Sequence, residues 1–427
     1  MNSAFAAGAV SGKVIVAPYG DATIRLPKTN AAVSIELPVT DKKITVAYAY
    51  AAEAGEKPAT LSITAPSTDN LVLEVPETTV TLNGATYKEV SAMTADNTLI
   101  VAEGATIQKL TVLKGNVEIY GKVVEFVKAA GVASTYTLHI TTAERLAELA
   151  KEVNTGACNY DIVLLDSDID LENKAWTPIG STQYNQFTKI FDGQNHTISN
   201  LSINNPYGKN VGLFGFTKTG EVKNLIVNNA SVTGDLSVGV VAGSPYTTKY
   251  SNIKVTGLVK VTGYSYVGGI LGKNAYANLT DLTIDAYKGS FVKADSEAYR
   301  TYVGGIIGFM GEGAQVVSNA RSNIDVIGST CDVGGITGIA HYGNSFRNCV
   351  CTGNVTLENA TDAGDHLEIG GIAGVWHDQT GKTVTFTDCS FTGTLKTALK
   401  GVDKSADVAT RTASRVANTK KTAQANS

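Results

Sequence analysis

A short glycine motif returns six times in the second half of this chain, and its spacing limits the folds open to it. It reads Val211-Gly212-Leu213-Phe214-Gly215, then Val238-Gly239-Val240-Val241-Ala242-Gly243 and Val267-Gly268-Gly269-Ile270-Leu271-Gly272. The later copies are Val303-Gly304-Gly305-Ile306-Ile307-Gly308, Val333-Gly334-Gly335-Ile336-Thr337-Gly338 and Ile369-Gly370-Gly371-Ile372-Ala373-Gly374. Their starts lie 27, 29, 36, 30 and 36 residues apart. Periods of about 20–50 residues mark solenoids, in which no repeat buries its apolar face alone.

A second motif falls between the copies: Asn252-Ile253-Lys254-Val255-Thr256-Gly257, Asn323-Ile324-Asp325-Val326-Ile327-Gly328, Asn348-Cys349-Val350-Cys351-Thr352-Gly353 and Asp388-Cys389-Ser390-Phe391-Thr392-Gly393. Asn224-Leu225-Ile226-Val227 and Asp281-Leu282-Thr283-Ile284 are variants of it. Its apolar slots alternate, as in a half-buried strand. Asn or Asp at its start suits a left-handed corner, and Gly at its end suits a close backbone approach. Each repeat therefore reads as strand, corner, strand, corner. The Val-Gly-Gly-Ile copies read as strands that need Gly where a neighbouring backbone comes close. Spacers such as 288–300 read as loops thrown out from one edge.

Residues 141–216 carry a more specific order. Thr141-Thr142-Ala143-Glu144 predicts a helix near 142–154, opened by a capping box from Thr141 to Glu144 and stopped at Gly156. Leu146, Leu149, Ala150 and Val153 share one face. Then come Ile162-Val163-Leu164-Leu165, Asp166-Ser167-Asp168-Ile169-Asp170-Leu171, Trp176-Thr177-Pro178-Ile179-Gly180, Phe191-Asp192-Gly193-Gln194-Asn195-His196-Thr197-Ile198-Ser199-Asn200-Leu201 and the first glycine motif. This order resembles the GLUG-repeat family of bacterial surface proteins, over about 141–395. The resemblance implies a right-handed parallel β-helix, export to the cell surface, and adhesion or surface display.

Upstream, short strands end on proline: Ile24-Arg25-Leu26-Pro27, Ile35-Glu36-Leu37-Pro38, Ile63-Thr64-Ala65-Pro66 and Leu73-Glu74-Val75-Pro76. Proline ends a ladder at a corner. The expected organisation is all-β: residues 1–68 as β-rich coils or a cap, with a separate β-sandwich as the alternative. Irregular coils follow over 69–140, the main β-helix over 141–400, and a flexible or helical tail over 401–427.

Charged residues make up 17% of the 427, with a net charge of −4, which gives no basic footprint for nucleic acid. No run approaches the ~18 apolar residues of a membrane-spanning helix. Met1-Asn2-Ser3-Ala4-Phe5-Ala6-Ala7 lacks the basic start and long apolar core of a signal peptide. The expectation is an extracellular protein whose export signal is missing from this sequence, with a cytosolic protein as the alternative. The five cysteines, Cys158, Cys331, Cys349, Cys351 and Cys389, form no CxxC pair, and their odd number argues against a disulfide framework. Cys349, Cys351 and Cys389 stand where other copies have Ile or Val, which predicts buried thiols.

Two groups of residues bear on chemistry. Asp166, Asp168 and Asp170, with Asp192 downstream, are weak candidates for a cation; the competing role is bonding backbone amides at a turn. His196 reads as a corner residue. His366, with Asp365 and Glu368, falls in a loop with no nucleophile beside it. There is no GxSxG, HExxH or phosphate-cradling loop, and no cofactor is implied. The second group follows the late glycine motifs: Tyr246, Tyr276, Phe309, His341, Tyr342, Trp376 and His377. On one side of successive coils they form either a platform for sugar rings or a partner protein, or a stack that only covers a corner. The expected function is non-catalytic binding of a host or matrix glycan or protein. A carbohydrate-active enzyme or a structural rod are the alternatives.

Overall fold

The computed structural model describes residues 2–4, 13–15, 19–26, 29–49, 57–58, 60–128, 134–295, 301–329, 332–360, 369–377 and 380–399. Cys331, Pro27, the group 365–368, the end of the 288–300 spacer and the 401–427 tail lie outside them. The fold is a parallel β-helix with one α-helix, in two compact units: 1–140 with 159–164, and 141–158 with 165–427.

In the first unit the strand pairs run parallel. Leu61–Glu74 pairs with Thr79–Ala92, which pairs with Asn97–Val101 and Thr106–Val112. Ile63, Leu82, Val101, Ile119 and Leu138 stand in register, one per coil, and none is exposed. Aliphatic side chains at one height of every coil bury a continuous column, the main stabilising term of a solenoid. Pro66 does not end its ladder as proline was expected to. It sits inside Leu61–Glu74, in the gap between the pairs Ala65↔Gly84 and Ser67↔Thr86. Its missing N–H falls where the backbone turns the corner, so no ladder bond is lost.

In the second unit the coil Val316–Ser318, Arg321–Ser322, Asp325–Ser329, Asp332–Gly334 and Thr337–Ala340 runs through five strand segments. In an earlier coil, Glu221–Thr233 is continuous through left-handed corners at Asn224 and Asn229, and Leu236–Val238 and Ala242–Tyr246 form the last two sides. The last two sides stack into separate six-stranded parallel sheets. The interior column runs Ile169, Ile198, Val227, Val255, Ile284, Ser322, Cys351, Phe391. Cys351 thus fills an Ile/Val slot, and Cys349 and Cys351 are fully buried. Burial pushes the Cys351 thiol up to about 12. Cys389 and Cys158 are only partly buried.

The glycine motifs are corners rather than strands. Tyr302–Gly304 ends one sheet and Ile307–Met310 begins the next, with Gly305 and Ile306 as the bend. A β-carbon on Gly304 would stand 2.1 Å from the Ile307 carbonyl oxygen, so only glycine closes this turn. Within the described part of the 288–300 spacer, Phe291–Asp295 is ladder rather than loop, pairing on both sides with Val292 and Ala294 buried.

Asn224, Asn252, Asp281, Asn348 and Asp388 have φ between 51° and 55°, the left-handed corner expected of them; the first three bend strands from within, and the last two precede Val350–Cys351 and Ser390–Phe391. The Asn252 side chain donates to Oδ1 of Asn224 and of Asn195, both at 2.9 Å, and Asn348 donates to Asn319 at 2.8 Å. Asn323 is not in this ladder. Asn319 holds the position, with φ 57°, and Asn323 instead bonds Ala286 at the next corner. The helix Ala143–Asn154 is capped by Thr142, whose hydroxyl accepts from Arg145 N. Arg145 occupies the third helical position, so the expected box with Glu144 does not form.

Candidate functional site

The acidic group serves the coil corners. Asp166 accepts from the Gln194 side chain at 2.6 Å. Asp168 accepts from Thr197 N at 2.8 Å, with His196 Nδ1 at 3.2 Å. Asp170 accepts from Glu172 N at 2.7 Å and from the Asn200 side chain at 2.8 Å. The Thr197 amide, then His196, hold the Asp168 carboxyl below the usual range, and Asn200, then the Glu172 amide, do the same for Asp170. Only Asp170 lies in a strand, Ile169–Asp170, so alternation does not bring the three together. Among the described residues no group of three or more His, Cys, Asp or Glu is placed to hold a metal.

The aromatic group sits on the sheet that follows each glycine corner. Its strands, Phe214–Lys218, Ala242–Tyr246, Leu271–Asn274, Ile307–Met310, Thr337–Ala340 and Ala373–Trp376, alternate in and out. Lys218, Tyr246 and Ala275 share one outward row. Lys273 and Phe309 share a neighbouring outward row. The expected single column is therefore several short rows. Tyr246 and Tyr276 meet edge to face with centroids 5.4 Å apart, and they are 45% and 54% exposed. Phe309 lies 5.2 Å from His341, and His341 lies 5.1 Å from His377. Tyr342 hydrogen-bonds Glu312 through its hydroxyl.

Trp376 departs from the expectation. It is in register with Met310 and Ala340, both fully buried, and packs against Phe386 at 5.5 Å. It belongs to the interior of its coil. Phe309 has a double role, for it also covers an outer apolar cluster of Tyr302, Ile339 and Val375 together with Tyr266.

Between these rings runs a groove of about 640 Å³, lined by Tyr246, Tyr276, Phe309, His341 and residues absent from the sequence-based set: Lys218, Lys273, Glu312, Gln183 and Gln186. A buried amide network fixes its rim. Asn274 donates to Gln315 Oε1 at 2.8 Å, Gln315 donates to the Glu312 carbonyl at 2.9 Å, and Asn344 donates to the carbonyls of Gly311 at 2.7 Å and His341 at 2.8 Å. These bonds hold the loop in one position, although the buried Asn274 Oδ1 has no hydrogen-bond partner. Burial, then the neighbouring His377, keep the His341 pKa below its ordinary value. Lys218 shares its row with Tyr246, and that shared offset is the signal that would have found it.

No family model matches the chain. Over 188 residues, 40% of its length, the chain is 34% identical to halomucin of Haloquadratum walsbyi (strain DSM 16790 / HBSQ001). It spans about 2% of that relative's length. A solved structure described as a "putative immunoglobulin A1 protease" from Bacteroides ovatus shares 19% identity at a TM-score of 0.37, covering 62% of this chain and 67% of that one.

Proposed function

We propose that this chain is a non-catalytic binding module, acting outside a bacterial cell, that offers the groove to a glycan or protein ligand. The observation that carries the reading is the exposed Tyr246–Tyr276 pair, two large rings held edge to face at the groove. Rings fixed by a rigid sheet give a ligand wide contact at little entropic cost. Among the described residues Glu312 is the one carboxylate lining the groove, and its partner is a phenol. Glycoside hydrolysis commonly needs two carboxylates across the bond, which favours binding over cleavage. The motif order shared with GLUG-repeat proteins and the partial similarity to halomucin support a place outside the cell. Among the described residues no helix is long and apolar enough to cross a membrane.

The test is an array of glycans and matrix proteins probed with the native chain and with a Tyr246→Ala/Tyr276→Ala variant. Binding by the native chain, weakened about tenfold or more in the variant, is expected of ring anchors. A native chain that binds nothing on the array, or a variant that binds equally well, would leave only a structural rod.

A further inference from the structure

We infer that the occupant of the groove is an acidic polysaccharide, lying along the stacked coils with its carboxylate or sulfate groups on Lys218 and Lys273. The inference rests on the binding reading above and names its ligand class. Lys273 is half-buried, its Nζ 5.2 Å from the centre of the Phe309 ring and 5.8 Å from that of Tyr266. Lys218 holds its Nζ 5.7 Å from the Tyr246 ring. Neither has a carboxylate partner among the described residues. Three lysines on the broad sheet of the same unit do, Lys223 with Glu221 at 3.3 Å, Lys254 with Asp285 at 3.7 Å, and Lys293 with Asp295 at 3.8 Å, whereas Lys249 and Lys260 on that sheet have no salt bridge among the described residues. The one carboxylate of the groove, Glu312, is engaged by the Tyr342 hydroxyl. Among the described residues the aromatic groove thus holds two lysines without a carboxylate partner beside one carboxylate, Glu312, whose partner is a phenol.

The half-buried Lys273 attracts anions more strongly than an exposed ammonium would, because less water screens it, and Lys218 adds a second, exposed charge. The rings set the rest of the chemistry. Tyr246, Tyr276, Phe309 and His341 come from four successive coils. Parallel strands rise about 4.8 Å from coil to coil. That is close to the length of one pyranose ring, so a sugar polymer along the coil axis advances one coil per residue, with rings reaching it from several short rows. Stacking takes the apolar face of each sugar, and the two lysines take its acid groups. A bare polyanion satisfies only the lysines, and a neutral glycan only the rings.

The experiment measures affinity of the full chain for a hexamer of galacturonate, its fully methyl-esterified form, dextran sulfate, dextran and polyphosphate. Native protein, Lys218→Gln/Lys273→Gln and Tyr246→Ala/Tyr276→Ala are compared, each checked for a native thermal transition. Binding of galacturonate or dextran sulfate at least about tenfold tighter than of the neutral counterpart is expected, weakening as NaCl rises from about 50 to about 500 mM. The lysine variant should lose that preference, and the tyrosine variant should weaken every sugar. Whichever anionic polymer binds better separates carboxylate from sulfate as the source of charge. Polyphosphate binding as tightly as the acidic sugars, or a lysine variant as tight as native, overturns the inference. If the lysine variant matches native while the tyrosine variant fails, the binding reading stands without this ligand. If no polymer binds and the broader array is also blank, both fall.

Discussion

A β-carbon placed on Gly335 would stand 2.5 Å from the Sγ of Cys351 and 2.1 Å from the carbonyl oxygen of Gly371 in the next coil. The glycine corner thus touches the interior column and the coil above it at once. Gly305 repeats the relation one coil earlier, with Ser322 Oγ at 2.9 Å and the Gly335 oxygen at 2.2 Å. Backbone cannot yield as a side-chain tip can. Gly335→Ala should therefore cost about 3 kcal/mol or more, at the top of the usual overpacking range. Solenoid stability is a sum over coils and their interfaces, so the loss should be local. Hydrogen exchange should show coils near Val333 and Ile369 opening while coils near Val211 keep their protection. Uniform loss of protection would contradict this account.

The asparagine ladder makes a milder and more specific prediction. Asn252 combines φ 51° with two side-chain hydrogen bonds to the ladder. Asn252→Ala loses both and adds the left-handed strain of a β-carbon without local bonding, about 1–2 kcal/mol each for strain and bonds. Asn252→Gly loses the bonds but not the conformation. Denaturant midpoints should rank native above Asn252→Gly above Asn252→Ala. An alanine variant as stable as the glycine one would remove the conformational part of the argument.

Much of this was legible because a solenoid writes its geometry into period and parity. The six glycine motifs, Cys351 in an Ile/Val slot and the left-handed Asn224 and Asn252 were all open to reading. Asn323 misled because its flanking Ile324 and Val326 alternate better than Ala320 and Ser322, which carry the ladder position after Asn319. The column Ile63, Leu82, Val101, Ile119, Leu138 went unread because its period rests on aliphatic residues alone, without glycine to mark it. In the site, the aromatic residues were found but Lys218, Lys273 and Glu312 were not. Lys218 shares with Tyr246 an offset of three residues past the glycine, and Lys273 shares with Phe309 an offset of one, but a lone lysine attracts no notice in one dimension without that comparison. Parity was available and unused: Trp376 stands two residues after Gly374, an inward offset, whereas His341 stands three after Gly338.

The histidine pair makes the groove sensitive to pH. His341 is packed against Phe309, Tyr342 and His377, with Glu312 pulling its pKa upward against burial and the second imidazole. The net direction is down. The unfolded chain, with a histidine pKa of about 6.5, then binds more protons than the folded one just below that pH. Stability from this site is complete above about 6.5 and is lost as pH falls through the lowered folded value. Moving from about pH 7 to about pH 5 should lower Tm more in the native chain than in His341→Gln. Equal falls in the two proteins would show that the histidine pair is not responsible.

Trp376 and Tyr276 should behave in opposite ways although both follow a glycine corner. Trp376 occupies an inward row and packs on Phe386, which stacks on Phe346 at 5.2 Å. Trp376→Ala removes that contact and leaves a space beside a buried phenylalanine. A cost of about 2–4 kcal/mol is expected, somewhat below a fully buried tryptophan because the indole is only partly covered. Ligand affinity measured well below its Tm should stay within about twofold of native, since the groove lies on the other face of the sheet. Tyr276 is 54% exposed, and its ring meets Tyr246 of the preceding coil. Tyr276→Ala should move stability by no more than about 0.5 kcal/mol while weakening binding by several fold. The pair forms a cross-test of the surface assignment. A destabilised Tyr276→Ala that binds normally, beside a stable Trp376→Ala that does not bind, would place the ligand on the opposite set of rings.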